Sequence, residues 1–276
     1  MSIDIVIPIY NAAEMLRACL ASLDATLAPD DAQILLIDDA SPDPAVATLM
    51  AEWLAQTRLP ARGLRNARNL GFIGSVNRGF AETAGDVLLL NSDTIATPGW
   101  LQGMRAALAS DARIASVTPF SNNAEICSWP DLCRAQPVPT DAARIAAACR
   151  VGGAGVYPQL PTAVGFCMLI RRAALQAIGD FDAATFGRGY GEENDWCQRA
   201  IGHGWIHVLC GDAYVVHAGG GSFAALGLKP GGDNLARLLA RYPDYQRQVA
   251  EFIAADPPRA LRQAILAAYQ SLPESA

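Results

Sequence analysis

The chain has 276 residues, 51% hydrophobic and 17% charged, enough to bury a large core as one main domain with a tail. Its net charge of −6 argues against nucleic acid as a partner, since such a partner selects a basic stripe or patch. Seven cysteines without zinc-finger spacing, mostly within apolar runs, read as reduced, buried thiols of a cytosolic protein.

A strand opens the chain at Ile3-Asp4-Ile5-Val6-Ile7, with no charged and apolar leader ahead of it, so no secretory signal is expected. Asn11 and Glu14 have the spacing of a capping box, and Met15, Leu16, Cys19, Leu20, Leu23 and Leu27 then recur at helical period. A second strand at 33–37 runs into Asp38-Asp39-Ala40-Ser41. Ser41 followed by Pro42 has the form of an N-cap with a first-turn proline, leading a helix with Val46, Leu49, Met50, Trp53 and Leu54 on its apolar face. A helix over 74–83, a strand over 86–90, a helix entered through Thr97-Pro98 and a strand over 113–118 follow.

Residues 119–161 break the rhythm and read as a long excursion with one helix near 141–149. Order returns as a strand over 162–171 and a helix over 172–178. The longest apolar run, 163–170, falls well short of the ~20 residues of a membrane helix, so a soluble, cytoplasmic protein is expected, with attachment to the inner face of a membrane left open. A glycine-rich aromatic loop, Phe186-Gly187-Arg188-Gly189-Tyr190-Gly191, then hands Glu192, Glu193 and Asp195 to the first turn of a helix over 192–201. Strands at 205–209 and 213–217 lead to Gly219-Gly220-Gly221. Three helices, at 233–241, 243–254 and 258–269, form a tail whose arginines Arg237, Arg241, Arg247, Arg259 and Arg262 suit a solvated face, the alternative being approach to an anionic membrane or lipid-linked acceptor.

Alternating β and α units imply a mostly parallel sheet with helices on both faces, and ligands of such sheets bind outside the carboxyl ends of the strands. Tyr10 and Asn11, Asp38 and Asp39, and Asn91 and Asp93 all fall at such ends. An aspartate able to hold a metal after one strand, and an acid cluster after a flexible loop, point to group transfer from an anionic donor.

Ile5-Val6-Ile7-Pro8-Ile9-Tyr10-Asn11, Ile37-Asp38-Asp39-Ala40-Ser41, Asn69-Leu70-Gly71-Phe72, Asn77-Arg78-Gly79, Leu90-Asn91-Ser92-Asp93-Thr94, Gly165-Phe166-Cys167-Met168-Leu169-Ile170-Arg171-Arg172, Gly191-Glu192-Glu193-Asn194-Asp195 and His217-Ala218-Gly219-Gly220 occur in that order. Together they resemble the inverting family 2 glycosyltransferases of the GT-A fold, in particular rhamnosyltransferase-like members. The resemblance spans residues 3–222: a nucleotide-binding part over about 1–118, an acceptor and catalytic part over about 119–222, and a helical extension at 223–276 outside it.

The resemblance implies a donor site drawn from Pro8, Tyr10, Asn11, Asp39, Arg68, Asn69, Gly71, Asn77, Asn91, Ser92 and Asp93. Asp39, which can only accept hydrogen bonds, would read the imide N–H of uracil or thymine. Its bland alternative is to cap the next helix. Arg65 and Arg68 would face the diphosphate near a helix start suited to phosphate oxygens. Asp93 holds the last acid position of the family's D-x-D motif, where this chain has Asn91 first. With His217 it would bind Mn²⁺ or Mg²⁺. The second acid of the family's Glu-Asp pair is the general base, here Glu193, with Asp195 and Glu192 as alternatives. Tyr190 is the better acceptor contact. Trp196 is a weaker one set against core packing.

The implied activity moves a sugar from a UDP- or dTDP-linked donor to an acceptor hydroxyl with inversion, the acceptor being a surface glycan or lipid-linked saccharide. Two other readings stand beside it: a non-catalytic nucleotide-sugar-binding module, and a sugar-nucleotide pyrophosphorylase. Ile9-Tyr10-Asn11, where the latter carries a basic glycine-rich loop, counts against the pyrophosphorylase.

Overall fold

The computed structural model describes residues 2–187, 189–219 and 232–273. Arg188, Gly220, Gly221 and the expected boundary at 222/223 lie outside the described residues. The elements are β1 (Ile3–Ile9), α1 (Ala13–Thr26), β2 (Gln33–Asp38), α2 (Pro44–Gln56), β3 (Ala61–Arg65), α3 (Gly71–Ala81), β4 (Asp86–Leu90), β5 (Thr94–Ala96), α4 (Trp100–Ser110), β6 (Ile114–Phe120), α5 (Ala142–Gly152), β7 (Gln159–Leu160), β8 (Cys167–Ile170), α6 (Arg172–Ile178), α7 (Ala183–Phe186), α8 (Glu192–Gly202), β9 (Ile206–His217), α9 (Gly232–Arg241), α10 (Tyr245–Ala255) and α11 (Arg259–Ser271).

The sheet runs β3-β2-β1-β4-β8-β6-β9-β5, with β7 beside β9. Its longer ladders are parallel, while β8 pairs antiparallel with both β4 and β6. β1 shows why the sheet needs two covering layers. Ile3, Ile5, Ile7 and Ile9 enter one apolar cluster with Leu16, Leu20 and Leu23 of α1 and Trp53 of α2. Val6 enters the opposite cluster with Ile73 and Val76 of α3 and Trp196 of α8. A parallel strand flanked by helices on both faces reads as a continuous apolar run for this reason.

Several local expectations are corrected. No capping box forms at Asn11: Ala12 caps α1 in a left-handed conformation without a side-chain bond. Asn11 instead donates its N–H to Ser41 Oγ (2.9 Å) and accepts from the Asp43 N–H, tying two strand-end loops together. The α2 cap is Asp43, which accepts from Ala45 N (2.9 Å) with Pro44 following, two residues beyond Ser41-Pro42. β3 and β5 were not anticipated. Both are too short for a period to show, and β3 is largely exposed. The strands expected at 205–209 and 213–217 are one, β9, which pairs with β6 and then brings His217 opposite Thr94.

The tail helices enter the core. Ile265 of α11 is fully buried, and a Cβ on Gly152 of α5 would stand 2.6 Å from the Ala264 carbonyl, so these helices touch backbone to backbone. Arg262, expected on a solvated face, is buried and doubly paired with Asp256 (2.7 and 2.8 Å). Arg247 and Arg259 do remain largely in solvent.

His207 of β9 anchors α8. Its Nε2 donates to the Cys197 carbonyl (3.1 Å), which leaves Nδ1 to accept from Ser116 Oγ (2.7 Å). Burial lowers its pKa from 6.5 to about 4. A depressed pKa gives stability that is complete above the unfolded value and lost as pH falls through the folded one. Urea unfolding between pH 6.5 and 4 should therefore show a fall on the order of 3 kcal/mol from this group, absent in His207→Gln.

Candidate active site

The strand order sets β1 between β2 and β4, so their carboxyl ends open side by side. One pocket there is lined by Pro8, Ile9, Tyr10, Asp39, Gly71, Phe72, Ser75, Asn91, Ser92 and Asp93. Seven of the expected donor residues, Pro8, Tyr10, Asp39, Gly71, Asn91, Ser92 and Asp93, thus meet in one place.

Asp39 is 3% exposed. Oδ1 accepts from Asn66 Nδ2 (2.7 Å) and Leu70 N (2.7 Å), and Oδ2 from Gly71 N (2.8 Å). It therefore caps α3, across 31 residues of chain, and not the helix that follows it. Gly71 takes φ 77, a left-handed turn that lets two successive N–H groups reach one carboxylate. Only one of these donors reaches Oδ2, which keeps accepting capacity beside the pocket. Asn66 extends the network to Ser75 Oγ (2.9 Å) and accepts from Arg78 Nη1 (2.6 Å).

The remaining donor-side expectations fall outside the lining. Arg65 pairs with Asp38 and donates to the Ser41 carbonyl (3.0 Å), so its guanidinium braces β3 against the turn after β2. Arg68 is exposed. Asn69 Oδ1 accepts from Gly71 N (3.1 Å), within the helix entry. Asn77 closes on a single residue, donating to the Phe181 carbonyl (2.8 Å) and accepting from its N–H (3.1 Å). Asn11 holds the loops as described.

At the far end of the pocket, His217 Nε2 lies 3.5 Å from Asp93 Oδ1. Nδ1 stands 2.7 Å from the Asn123 carbonyl, which only accepts, so Nδ1 carries a hydrogen and Nε2 is the nitrogen that faces Asp93. Asn122 grips the His217 backbone from both sides, accepting from its N–H (2.9 Å) and donating to its carbonyl (3.0 Å). Burial pulls the imidazole pKa down, but the Asp93 carboxylate and the Asn123 carbonyl outweigh it and the net direction is up. Among the described residues no cluster of three or more His, Cys, Asp or Glu could hold a metal. A two-residue carboxylate–imidazole set, completed by donor phosphates and water, fits a divalent cation.

The acid turn reaches the same crevice through two adjacent residues. Phe166 stacks on His217 with ring centroids 5.1 Å apart. A Cβ on Gly165 would stand 3.7 Å from Glu193 Cγ. The half-buried Tyr190 has its phenol pKa raised by burial and by the charges of Glu193, Glu192 and Asp93, so it lies within range of both ends of the site. Glu192 and Glu193 are adjacent, buried carboxyl groups. Burial and the neighbouring carboxylate push Glu192 well up, and burial raises Glu193 while the hydrogen bond from Glu192 works against the rise. Two carboxyl groups buried side by side disfavour carrying charge together. One oxygen on each, Oε2, is buried without a hydrogen-bond partner.

Asp195 is not at the crevice in this sense. It is fully buried, and its carboxylate takes Arg199 Nε (2.8 Å), Arg241 Nη1 (2.6 Å) and Tyr242 OH (3.0 Å). Trp196 is fully buried, donates to the Gly179 carbonyl (2.9 Å) and packs edge-on to Phe181 and His207. It serves the core and is no acceptor contact. Sequence reading did not single out Ser75, Asn66, Asn122 or Asn123. Each works through a partner distant in the chain, which no local pattern marks.

The family pattern of glycosyl transferase family 2 matches residues 4–179. The chain belongs to that family. The dolichol-phosphate mannosyltransferase of Pyrococcus furiosus is 26% identical over 131 residues, 47% of this chain and 36% of that protein, so the chain spans about a third of that relative's length. Among solved structures, GalNAc-T7 with UDP, GalNAc and Mn²⁺ superposes with TM-score 0.66 at 15% identity, covering 96% of this chain and 55% of that one. The mannosyltransferase PcManGT of Pyrobaculum calidifontis with GDP-Man and Mn²⁺ gives 0.58 at 14%, covering 99% and 76%. S. aureus TarS 1–349 with UDP-GlcNAc gives 0.57 at 16%, covering 98% and 72%. The fold is that of GT-A glycosyltransferases. The family match stops before the acid turn and His217, which stand on geometry alone.

A carboxyl whose folded pKa is raised contributes stability that is full below its unfolded pKa and lost as pH rises through the folded value. Urea unfolding of this family 2 glycosyltransferase should therefore show wild type weakening from pH 5 to 9 relative to Glu192→Gln. Parallel curves would show that the Glu192 carboxyl is not raised.

Proposed function

We propose that this glycosyltransferase moves a sugar from a UDP- or dTDP-linked donor to an acceptor hydroxyl with inversion at the anomeric carbon. The observation that carries the reading is the meeting of Asp39, Asn91, Ser92 and Asp93 in one pocket, with Glu193 and His217 brought toward each other by the adjacent Gly165 and Phe166. Asp39 Oδ2 faces the pyrimidine, whose imide N–H it accepts. Asp93 and His217 would hold Mn²⁺ or Mg²⁺, which offsets charge developing on the leaving diphosphate. The imidazole nitrogen favours Mn²⁺.

Glu193 takes the proton from the acceptor hydroxyl as its oxygen attacks the face opposite the diphosphate. The anomeric C–O bond to phosphate breaks, and the diphosphate leaves with the electron pair. Glu192 keeps its own proton and donates a hydrogen bond to the Glu193 carboxylate, orienting the oxygen that receives the acceptor's proton. Two buried carboxyl oxygens without partners favour catalysis over a retained binding pocket, because such groups are costly unless a substrate meets them. Family membership disposes of the pyrophosphorylase reading.

The acceptor, a surface glycan or lipid-linked saccharide, would be met at the cytoplasmic face of a membrane. No helix among the described residues is long and apolar enough to cross one.

A panel of UDP-glucose, UDP-galactose, UDP-GlcNAc, dTDP-rhamnose and GDP-mannose, screened by thermal shift and by hydrolysis with and without Mn²⁺, identifies the donor. A UDP or dTDP sugar should stabilise the protein only with the metal present. With that donor, Glu193→Gln should lower kcat by ~10²–10⁴-fold while donor binding survives. Wild-type turnover in that variant would remove Glu193 as base. Asp93→Asn should weaken Mn²⁺-dependent UDP binding, and unchanged metal dependence would take Asp93 out of the site.

A further inference from the structure

The turn that carries Tyr190, Glu192 and Glu193 is poorly suited to hold its own shape. Gly187, Gly189, Tyr190 and Gly191 all have positive φ (65°, 145°, 68° and 100°). Glycines lose the most conformational freedom on ordering, and a tyrosine in the left-handed region is disfavoured by roughly 1–2 kcal/mol. What orders the turn comes from α9, more than 40 residues downstream.

Asn234 Nδ2 donates to the Phe186 carbonyl (2.9 Å) and the Gly189 carbonyl (2.8 Å). Arg237 Nη1 orients that amide through Asn234 Oδ1 (2.7 Å) and donates to the Thr185 carbonyl (3.1 Å). One turn further, Arg241 reaches both ends of the loop. Before it, Nη1 and Nη2 meet Asp182 Oδ2 (3.0 and 3.1 Å) and Nη2 meets Thr185 Oγ1 (3.0 Å). After it, Nη1 meets Asp195 Oδ1 (2.6 Å). The guanidinium lies 5.8 Å over the Phe186 ring, and Leu238 is buried in the apolar layer that holds Phe186 and Trp196. These residues recur at i, i+3, i+4 and i+7, one face of one helix.

We propose that Asn234 and Arg241 are positioning residues for the transfer reaction. By holding the loop at its entry, middle and exit, they fix Tyr190, Glu192 and Glu193, which sit between those three points, toward the Asp93 pocket. The tail helix is part of the catalytic apparatus, and its arginines at 237 and 241 serve the loop in place of a solvated or membrane-facing surface. The inference rests on the assignment of the base to Glu193. A loop free to wander by 1 Å loses about 10²-fold in rate without losing the donor site.

The test uses the full chain with the donor selected by the panel above, comparing Asn234→Ala, Arg241→Ala, Arg241→Lys and Glu193→Gln. Asn234→Ala and Arg241→Ala should lower kcat by about 10-fold or more with UDP–Mn²⁺ affinity and donor KM held within about twofold. Hydrogen exchange should quicken in amides 187–193 and stay unchanged in β1 and α3. Arg241→Lys should restore part of kcat, since an ammonium reaches one carboxylate but lacks the fork. If Arg241→Ala loosens the whole protein, Asn234→Ala decides, because it removes only the two hydrogen bonds to loop carbonyls and the one that Arg237 makes to its amide. Wild-type kcat in Asn234→Ala, with loop exchange unchanged, overturns the proposal. Full activity in Glu193→Gln instead overturns the base assignment, and this inference falls with it, whatever the loop does.

Discussion

A carboxylate removed from water has to be met by hydrogen-bond donors or by a proton, and much of this structure is organised by that requirement. Asp39 is met by two backbone N–H groups and an amide, Asp195 by two arginines and a tyrosine, Asp256 by a doubly bonded arginine. Each of these pairings joins segments well separated along the chain or locks a helix end. Glu192 and Glu193 answer it differently: burial raises the pKa of both, which favours the protonated form, and one oxygen on each has no hydrogen-bond partner. That departure marks the place where the protein keeps polar capacity in reserve.

Topology decides where the reserve is kept. The parallel half of the sheet aligns the ends of β1, β2 and β4, and so gathers the donor pocket without any one loop having to build it. The antiparallel β8 then joins this half to β6 and β9, and the segment just before β8 carries Gly165 against Glu193 and Phe166 against His217. Two sides of one crevice are held in register by a short stretch of chain. β9 completes the arrangement by running past β6 to pair with β5, which sets His217 beside Asp93.

Where sequence reading succeeded, the signal was local or periodic. The apolar faces of α1 and α2, the strand ends, and the acids opening α8 follow from spacing, and the motifs added a family. Where it failed, a competing partner lay far away in the chain. Asn11 and Ser41 have capping chemistry, but Ser41 spends its hydroxyl on the Asn11 N–H and Asn11 spends its amide oxygen on the Asp43 N–H. Asn77 has the polarity of a ligand contact but closes on the backbone of Phe181. Asp195 and Glu193 are two residues apart, alike in charge, and assigned opposite work by what α9 presents to one of them.

The sequence by itself determined the two-layered α/β plan and the set of strand-end residues available for chemistry, because burial on both faces of a parallel sheet writes an apolar rhythm that needs no knowledge of distant contacts. Only the tertiary structure decided which acids are paired with cations and which are pushed toward the protonated form by burial. Partners within a few ångströms set that outcome, and for Asp195 two of them, Arg241 and Tyr242, arrive from the far end of the chain.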